Sequence, residues 1–234
     1  MDNLRKEIAI VCFAYKRPKH LKKCLKAISE NKEAKFLPLI VYVDGPKNVL
    51  ERDKTIEVIN VIKSIKGFSS VILRKRGENF GLYLSLTKGL TEVFKEYKKA
   101  IIIEDDIIVS PFFLEYMQKA LTLYSNQKDV ASIHGYTPPI KVPLPKSFFL
   151  RGADCWGWGT WHDRWKLFRH DALQMKKEIK KYRLVREFNL NNSIDYFGML
   201  SDRAAGENNS WAICWHASCF LENKLTLHPG KSLV

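Results

Sequence analysis

The sequence predicts an α/β fold, in which helices cover a mainly parallel β-sheet. In the first half of the chain, short apolar segments rich in β-branched residues alternate with segments whose apolar residues recur at helical spacing. Each of these apolar segments runs into polar or acidic residues, as in open sheets that bind ligands at the carboxyl ends of their strands. A chain of 234 residues, 46% of them apolar, is long enough to form one sizeable core.

The first half of the chain predicts four strands separated by three helices. Pro18 suits the first turn of a helix, and Gly67 suits the end of another. The predicted strands cover residues 8–13, 39–43, 70–74 and 101–103, and the predicted helices begin at residue 18 and cover residues 55–66 and 82–97.

The composition of the chain changes near residue 138. Before it, Ser110 and Pro111 predict the start of a helix that runs to about residue 124, and residues 131–134 predict another strand. After it come four prolines within eight residues and all six tryptophans. We therefore expect one domain made of two halves, a ligand-binding half over residues 1–137 and a tryptophan-rich half over residues 138–234.

The cysteines and the hydropathy pattern indicate the cellular compartment. The five cysteines are odd in number and form no C-x-x-C pair, which argues against both a disulfide framework and a zinc site. No apolar run approaches the roughly 18 residues that span a bilayer, and no signal peptide is apparent. A cytoplasmic protein with reduced thiols is expected.

The formal charge of +14 predicts an anionic partner. A nucleotide, a nucleic acid, a phospholipid and a phosphate-linked glycan all satisfy it. The segment between residues 164 and 187 contains nine Lys or Arg residues and only three acids. That segment is either a solvated helix face or a surface that contacts an anionic membrane.

Three consecutive acids, Glu104, Asp105 and Asp106, follow the predicted strand at residues 101–103. A buried apolar strand that ends in three carboxylates indicates a nearby cation. Carboxylate oxygens are preferred ligands of Mg²⁺ and Mn²⁺, which often bind together with the phosphates of a substrate. The alternative is an acidic turn that only faces water.

Two other strand ends carry candidate ligand-binding groups. The loop from Ala14 through Tyr15 to Arg17 precedes a helix, whose free N–H groups suit a phosphate or a base. Asp44, followed by a glycine, either accepts a hydrogen bond from a uracil ring or caps its own turn. The link after residue 74 contains Arg76 and Asn79, but it matches neither a P-loop nor a dinucleotide-binding fingerprint.

These segments together resemble a GT-A glycosyltransferase. The resemblance is carried by the Tyr-Lys-Arg-Pro segment at 15–18, Asp44-Gly45, the Asn-Phe-Gly segment at 79–81, and the Glu-Asp-Asp triplet followed by Ser-Pro-Phe-Phe at 110–113. The triplet and the segment after it are similar to those of the N-acetylglucosaminyltransferase of the Golgi N-glycan pathway and of bacterial transferases of surface-polysaccharide synthesis. The likeness extends over nearly the whole chain.

The resemblance implies a site for a nucleotide-sugar donor, and a UDP-sugar is the favoured donor. Asp106 would bind Mn²⁺ or Mg²⁺ at the diphosphate, and Glu104 and Asp105 would contact ribose or sugar. Asp44 would bind uracil and Arg76 would lie near the phosphates. The base-binding loop would be formed by the backbone near Ala14 and Tyr15, with Arg17 and Asn79 close to the nucleotide.

The second half resembles the acceptor side of the bacterial relatives. Trp156, Trp158 and Trp211 would stack on acceptor sugars, or else they fill the core. Where the relatives carry a catalytic base two residues before the last of these tryptophans, this chain has Asn209, whose amide accepts no proton at neutral pH. Either Asn209 marks an inactive transferase, or Glu207 or Asp154 serves as the base, and Glu207 is preferred because it lies on the same loop.

The expected function is a metal-dependent, inverting glycosyltransferase that uses a glycan or lipid-linked glycan acceptor at the cytoplasmic face of the membrane. The relatives run on beyond the segment that ends this sequence, into a glycine-rich stretch. A sugar-phosphate nucleotidyltransferase is disfavoured because residues 11–19 contain no glycine. The remaining alternatives are an impaired transferase that still binds its donor, and a basic module for nucleic acid or anionic lipid, which would leave the three acids unexplained.

Overall fold

The computed structural model describes residues 5–234. Its centre is one eight-stranded sheet in the spatial order β3-β2-β1-β4-β7-β5-β8-β6. The strands are β1 (Lys6–Ala14), β2 (Pro38–Val43), β3 (Ser70–Lys75), β4 (Tyr97–Glu104), β5 (Val130–His134), β6 (Ser147–Arg151), β7 (Trp158–Trp161) and β8 (Leu225–Pro229).

Helices cover both faces of this sheet. They are α1 (Pro18–Ser29), α2 (Arg52–Ser64), α3 (Gly81–Glu96), α4 (Phe113–Leu123), α5 (His162–Trp165), α6 (Ala172–Lys181), α7 (Val185–Phe188), α8 (Tyr196–Ala205) and α9 (Trp211–Leu221), with 3₁₀ turns at Ala34–Phe36 and Val49–Glu51. Among residues 5–234, no helix has the length and apolar character needed to cross a bilayer. All five cysteines are free thiols.

The first four strands confirm the α/β prediction. Strands β3, β2, β1 and β4 are parallel neighbours, and β1, β2 and β4 are apolar and buried along most of their length, as expected for strands covered on both faces. Ala14 pairs with Val43, and Phe13 pairs with Glu104. The carboxyl ends of these three strands therefore lie side by side.

Several predicted helix boundaries were wrong by up to three residues, and α2, predicted over residues 55–66, covers Arg52–Ser64. Tyr97 begins β4 instead of ending α3, because it is buried and pairs with Lys6 of β1. Helix α4 begins at Phe113 because the backbone N–H of Ser110 donates to the carbonyl of Leu233, 2.8 Å away, which holds the preceding residues outside the helix.

The two halves of the chain share the sheet. Strand β7 belongs to the second half, yet it lies between β4 and β5 of the first half and is antiparallel to both. Its side chain Trp158 is fully buried and stacks on Trp211, with 5.5 Å between ring centroids. The tryptophan-rich half thus completes the core on one face of the sheet.

A pair of buried histidines joins β5 to β8. The Nδ1 atoms of His134 and His228 lie 3.3 Å apart, and the backbone N–H of Trp156 donates to Nε2 of His134 across 3.0 Å. Burial lowers the pKa of His134 to about 3. Burial and the neighbouring His134 lower the pKa of His228 to about 4, although Asp154 acts in the opposite direction. Both rings are therefore neutral at pH 7.

We expect this pair to make the fold sensitive to acid. The unfolded histidines have a pKa of about 6.5 and bind more protons than the folded ones below that pH. Stability is then fully present above pH 6.5 and is lost as the pH falls towards about 4, by up to ~1.4 kcal/mol per pH unit for each histidine. Urea unfolding at pH 7, 6 and 5 measures the slope.

The matched variants are His228→Gln and, on the exposed face of α1, His20→Gln. The first should reduce the pH dependence of the unfolding free energy, and the second should leave it unchanged. Equal slopes in the wild type and His228→Gln would contradict this account of the pair.

Candidate active site

A cavity of about 350 Å³ opens at the carboxyl ends of β1, β2 and β4. Its volume lies within the range typical of small-molecule sites. Seven residues that the sequence singled out line it: Ala14, Tyr15, Arg17, Asp44, Asn79, Glu104 and Asp105. These residues come from four separate segments of the chain, which the sheet brings together at one edge.

Glu104 is the last residue of β4 and is largely buried. Its pKa is raised to about 7, first because burial disfavours the carboxylate and then because Asp106 and Asp105 repel it. The nearby side chain of Trp211 acts in the opposite direction and partly offsets this shift. Trp211 was expected either to stack on a sugar or to fill the core, and its ring is buried and stacked on Trp158, as the second alternative requires.

Asp105 is buried and held from two sides. The backbone N–H of Tyr15 donates to its Oδ2 atom across 3.1 Å, and the guanidinium of Arg17 donates to Oδ1. Burial nevertheless raises the pKa of Asp105, because it outweighs these two interactions. The same guanidinium also lies 2.9 Å from Oδ2 of Asp106. Arg17 therefore bridges two of the three acids.

Asp106 is the accessible member of the triplet, with 43% of its side chain exposed. The donor set at the end of β4 fits a hard divalent cation, because it consists of carboxylate oxygens whose mutual repulsion a cation would relieve. In residues 5–234, no three His, Cys, Asp or Glu side chains surround a common metal position. Mg²⁺ at phosphate sites typically uses one or two carboxylates and completes its shell with phosphate oxygens and water.

Asp44 caps helix α3. Its Oδ1 accepts from the N–H of Phe80 and its Oδ2 from the N–H of Gly81, each at 2.8 Å, while the N–H of Gly45 also reaches Oδ1 at 3.1 Å. This turn-capping role was one of the two alternatives for Asp44. The side chain still lines the cavity.

Asn79 closes the same corner of the cavity. Its amide donates to the carbonyl of Gly45 across 2.7 Å. Gly45 itself passes so close to the backbone of Glu78 that an added Cβ would lie 2.5 Å from its carbonyl carbon. The loop after β2 and the loop after β3 are thus fixed against each other.

A cluster around Glu51 was not predicted from the sequence. Glu51 accepts hydrogen bonds from the Tyr15 hydroxyl, from Lys16 Nζ at 2.6 Å and from the backbone N–H of Lys47 at 3.0 Å. The bonds from Lys16 and Tyr15 lower the pKa of Glu51 to about 2, and burial with the Glu51 contact raises that of Tyr15 to about 12. Glu51 thereby orients the side chains of Tyr15 and Lys16 and holds the backbone of Lys47, and all three residues line the cavity.

Arg76 does not line the cavity, which corrects the prediction of a phosphate-binding role. Its guanidinium forms two hydrogen bonds with the carboxylate of Glu92, at 2.9 and 3.2 Å. It also lies over the rings of Tyr42 and Phe80, 4.9 and 5.2 Å from their centroids. These contacts attach the strand end to helix α3.

A second cavity, of about 620 Å³, lies on the side of the tryptophan-rich half. Trp156 and Asp154 line it, and Trp156 is half exposed, as an acceptor-stacking ring requires. Trp158 is fully buried, so the expectation that it stacks on an acceptor sugar was wrong.

Two of the three residues considered for the position of the catalytic base lie elsewhere. Glu207 follows the end of α8, where its N–H donates to the carbonyl of Asp202, and its side chain is exposed. Neither Glu207 nor the exposed Asn209 belongs to the residues that line the two cavities. Asp154 does, and the next residue, Cys155, lies close enough to Glu104 that both acids raise its thiol pKa, after burial.

A family model decides the classification. The GNT-I family model matches residues 1–137, the part that contributes the strand ends and the acid triplet. The chain belongs to the GNT-I family. This membership confirms the resemblance to GT-A glycosyltransferases, and the mixed, mainly parallel sheet agrees with it. No curated protein matches the sequence.

Three similar solved structures are distant from the chain in sequence. TarS 1–349 of S. aureus is 9% identical with a TM-score of 0.45, over 67% of this chain and 47% of that one. Its complex with UDP-GlcNAc is 10% identical with a TM-score of 0.43, over 61% and 39%. The mannosyltransferase PcManGT from Pyrobaculum calidifontis, solved with GDP-Man and Mn²⁺, is 13% identical with a TM-score of 0.43, over 57% and 36%.

The chain therefore spans less than half the length of these proteins. At such identities and TM-scores the likeness carries no weight for substrate or mechanism. The GNT-I family match and the cavity at the strand ends carry the classification.

Proposed function

We propose that this member of the GNT-I family is a metal-dependent, inverting glycosyltransferase that moves a sugar from a UDP-sugar to a glycan or lipid-linked glycan. The observation that carries the proposal is the cavity at the ends of β1, β2 and β4, where Asp44, Glu104 and Asp105 meet the loop from Ala14 to Arg17.

The chemical demand of such a transfer is the negative charge that develops on the departing UDP. Asp106 is the accessible acid, and it would hold Mn²⁺ or Mg²⁺ at the diphosphate. A cation there would act as a Lewis acid and stabilise the leaving group. Lys16 and Lys47 also line the cavity and supply positive charge beside the phosphates.

Arg17 forms ion pairs with two of the three acids, Asp105 and Asp106. When a cation binds at Asp106, Arg17 would turn from this carboxylate towards the phosphates. The buried acids Glu104 and Asp105 would then accept hydrogen bonds from hydroxyls of the ribose or the donor sugar.

Uridine would lie at the other end of the cavity. The backbone near Ala14 and Tyr15 and the carboxylate of Asp44 line this end, and Asn79 closes it. A carboxylate suits a uracil base because the ring N–H of uracil is a donor. Hydrogen bonds from three backbone N–H groups hold the same carboxylate in position.

An inverting transfer also requires a base that takes the proton of the acceptor hydroxyl. We assign this role to Asp154, because it is the carboxylate on the wall of the second cavity and is adjacent in sequence to Cys155 beside Glu104. The acceptor would enter from that cavity, with Trp156 available to stack on a sugar ring. The transfer would take place at the cytoplasmic face of a membrane, where the basic segment between residues 164 and 187 could contact anionic lipid.

The donor site can be tested by calorimetric titration of UDP, GDP and CDP. With Mn²⁺ present, UDP should bind more tightly than the other two nucleotides. EDTA or the variant Asp106→Asn should lower the affinity for UDP by at least about tenfold, equivalent to ~1.4 kcal/mol. Asp129→Asn is the matched control, because Asp129 is 86% exposed and lies on the loop before β5, outside the cavity.

Two results would argue against the donor site. Absence of nucleotide binding in every condition would contradict the transferase proposal. Binding of arbitrary DNA that weakens steeply with salt and ignores Mn²⁺ would instead support a basic binding module.

The base can be tested by the release of UDP from a panel of UDP-sugars in Mn²⁺. Asp154→Asn should lower kcat by roughly 10²- to 10⁴-fold, the usual contribution of general base catalysis, without changing the affinity for UDP. Glu207→Gln should behave as the wild type. The reverse pattern would assign the base to Glu207, and a wild type that turns over only as Asn209→Asp would identify an impaired transferase.

A further inference from the structure

The second cavity is unusual because exposed apolar side chains converge on it. Ile140, Leu150, Trp156, Ile194 and Met199 all line it, and each is between 37% and 51% exposed. Single exposed apolar residues are ordinary, but a contiguous group around one concave surface marks a binding site. The volume of about 620 Å³ is sufficient for a drug-sized ligand.

The polar groups on the walls of this cavity are mostly satisfied within the protein. Arg151 donates from its guanidinium to the carbonyl of Phe220, at 3.0 and 3.1 Å. His216 Nδ1 lies 2.9 Å from the carbonyl of Ala153, and His228 pairs with His134. A ligand in the cavity therefore meets hydrocarbon and aromatic surface over most of its length, and such a surface favours an apolar ligand.

The cavity adjoins the acids of the proposed donor site. Ala212 on its wall is the neighbour of Trp211, whose side chain lies near Glu104. Asp154, the proposed base, lies on the same wall. A molecule bound in the cavity thus places one end near the reacting sugar and extends its remainder along the apolar walls.

Basic side chains lie on elements that adjoin the walls of the cavity. Helix α8, which carries Met199, packs against α6, and Lys180 of α6 lies 5.7 Å from the ring centroid of Phe197 on α8. Lys141 and Lys146 are exposed on the loop that leads into β6. Positive charge beside an apolar cavity complements a ligand that carries an anionic group at the end of a hydrocarbon chain.

We propose that this cavity binds the hydrocarbon chain of the acceptor, which is attached to its sugar through a phosphate. This inference rests on the proposed glycosyltransferase function and narrows its acceptor to a lipid phosphate. The chain lies among Ile140, Ile194 and Met199, the phosphate faces the basic surface, and the acceptor hydroxyl reaches Asp154.

The test uses alkyl phosphates as probes of the full chain, in EDTA and without nucleotide. Calorimetric titration of butyl, hexyl and octyl phosphate below their critical micelle concentrations should show affinity that rises by about fourfold for each buried methylene. Octyl β-glucoside, which has the same chain and no charge, should bind more weakly than octyl phosphate. Inorganic phosphate should show no comparable binding.

Two surface variants decide whether the probe binds in the cavity. Met199→Asp should lower the affinity for octyl phosphate by at least tenfold. It should also remove most of the dependence of the affinity on chain length. Leu123→Asp on α4 is the matched control, because Leu123 is 71% exposed and lies outside the cavity. Circular dichroism of both variants establishes that they are folded.

Affinity that does not depend on chain length, or an equal loss in Met199→Asp and Leu123→Asp, would overturn the proposal. Because the titration needs neither UDP nor metal, its result is separable from that of the donor site. Binding of UDP with Mn²⁺ but not of octyl phosphate would reject the lipid cavity and leave the transferase function in place.

Discussion

Repulsion among three carboxylates at the end of a buried strand is the constraint around which the site is organised. Glu104, Asp105 and Asp106 follow the apolar residues of β4, and burial makes the charges of Glu104 and Asp105 costly. The protein offsets that cost with Arg17, with the backbone N–H of Tyr15 and with the side chain of Trp211. Arg17 and Tyr15 lie in the loop after β1 and Trp211 begins α9, so the acids link these two segments to the end of β4.

This arrangement explains why the two halves of the chain depend on each other. Strand β7 comes from the second half and lies beside β4, and its Trp158 stacks on Trp211. The stack fixes Trp211 at the start of α9, and the next residues of this helix line the apolar cavity. The packing that completes the core therefore also positions a wall of that cavity.

Much of the fold could be predicted from the sequence because its signals are local. The parallel strands β1, β2 and β4 are short apolar runs, and Pro18 begins α1 as its ring geometry favours. The position of β7 could not be predicted, since it depends on pairing between residues far apart in sequence. The late start of α4 has the same cause, a hydrogen bond from Ser110 to the distant Leu233.

The candidate site shows the same division. The acids and Asp44 were predicted because each directly follows an apolar strand, and strand ends meet at one edge of a sheet. Glu51 was missed, because only the folded chain brings it to Tyr15 and Lys16. Arg76 was misassigned for a related reason, since its partner Glu92 lies in the following helix, α3. The sequence alone does not show which partner a basic or aromatic side chain contacts in the folded chain.

We propose that a divalent cation would replace the guanidinium of Arg17 at Asp106 when UDP binds. Anomalous diffraction from crystals grown with UDP and Mn²⁺ tests it most directly. We predict one manganese peak in contact with the Asp106 carboxylate and the diphosphate, with Arg17 moved away from Asp106. A peak elsewhere, or UDP bound while Arg17 still bridges Asp105 and Asp106, would contradict the account.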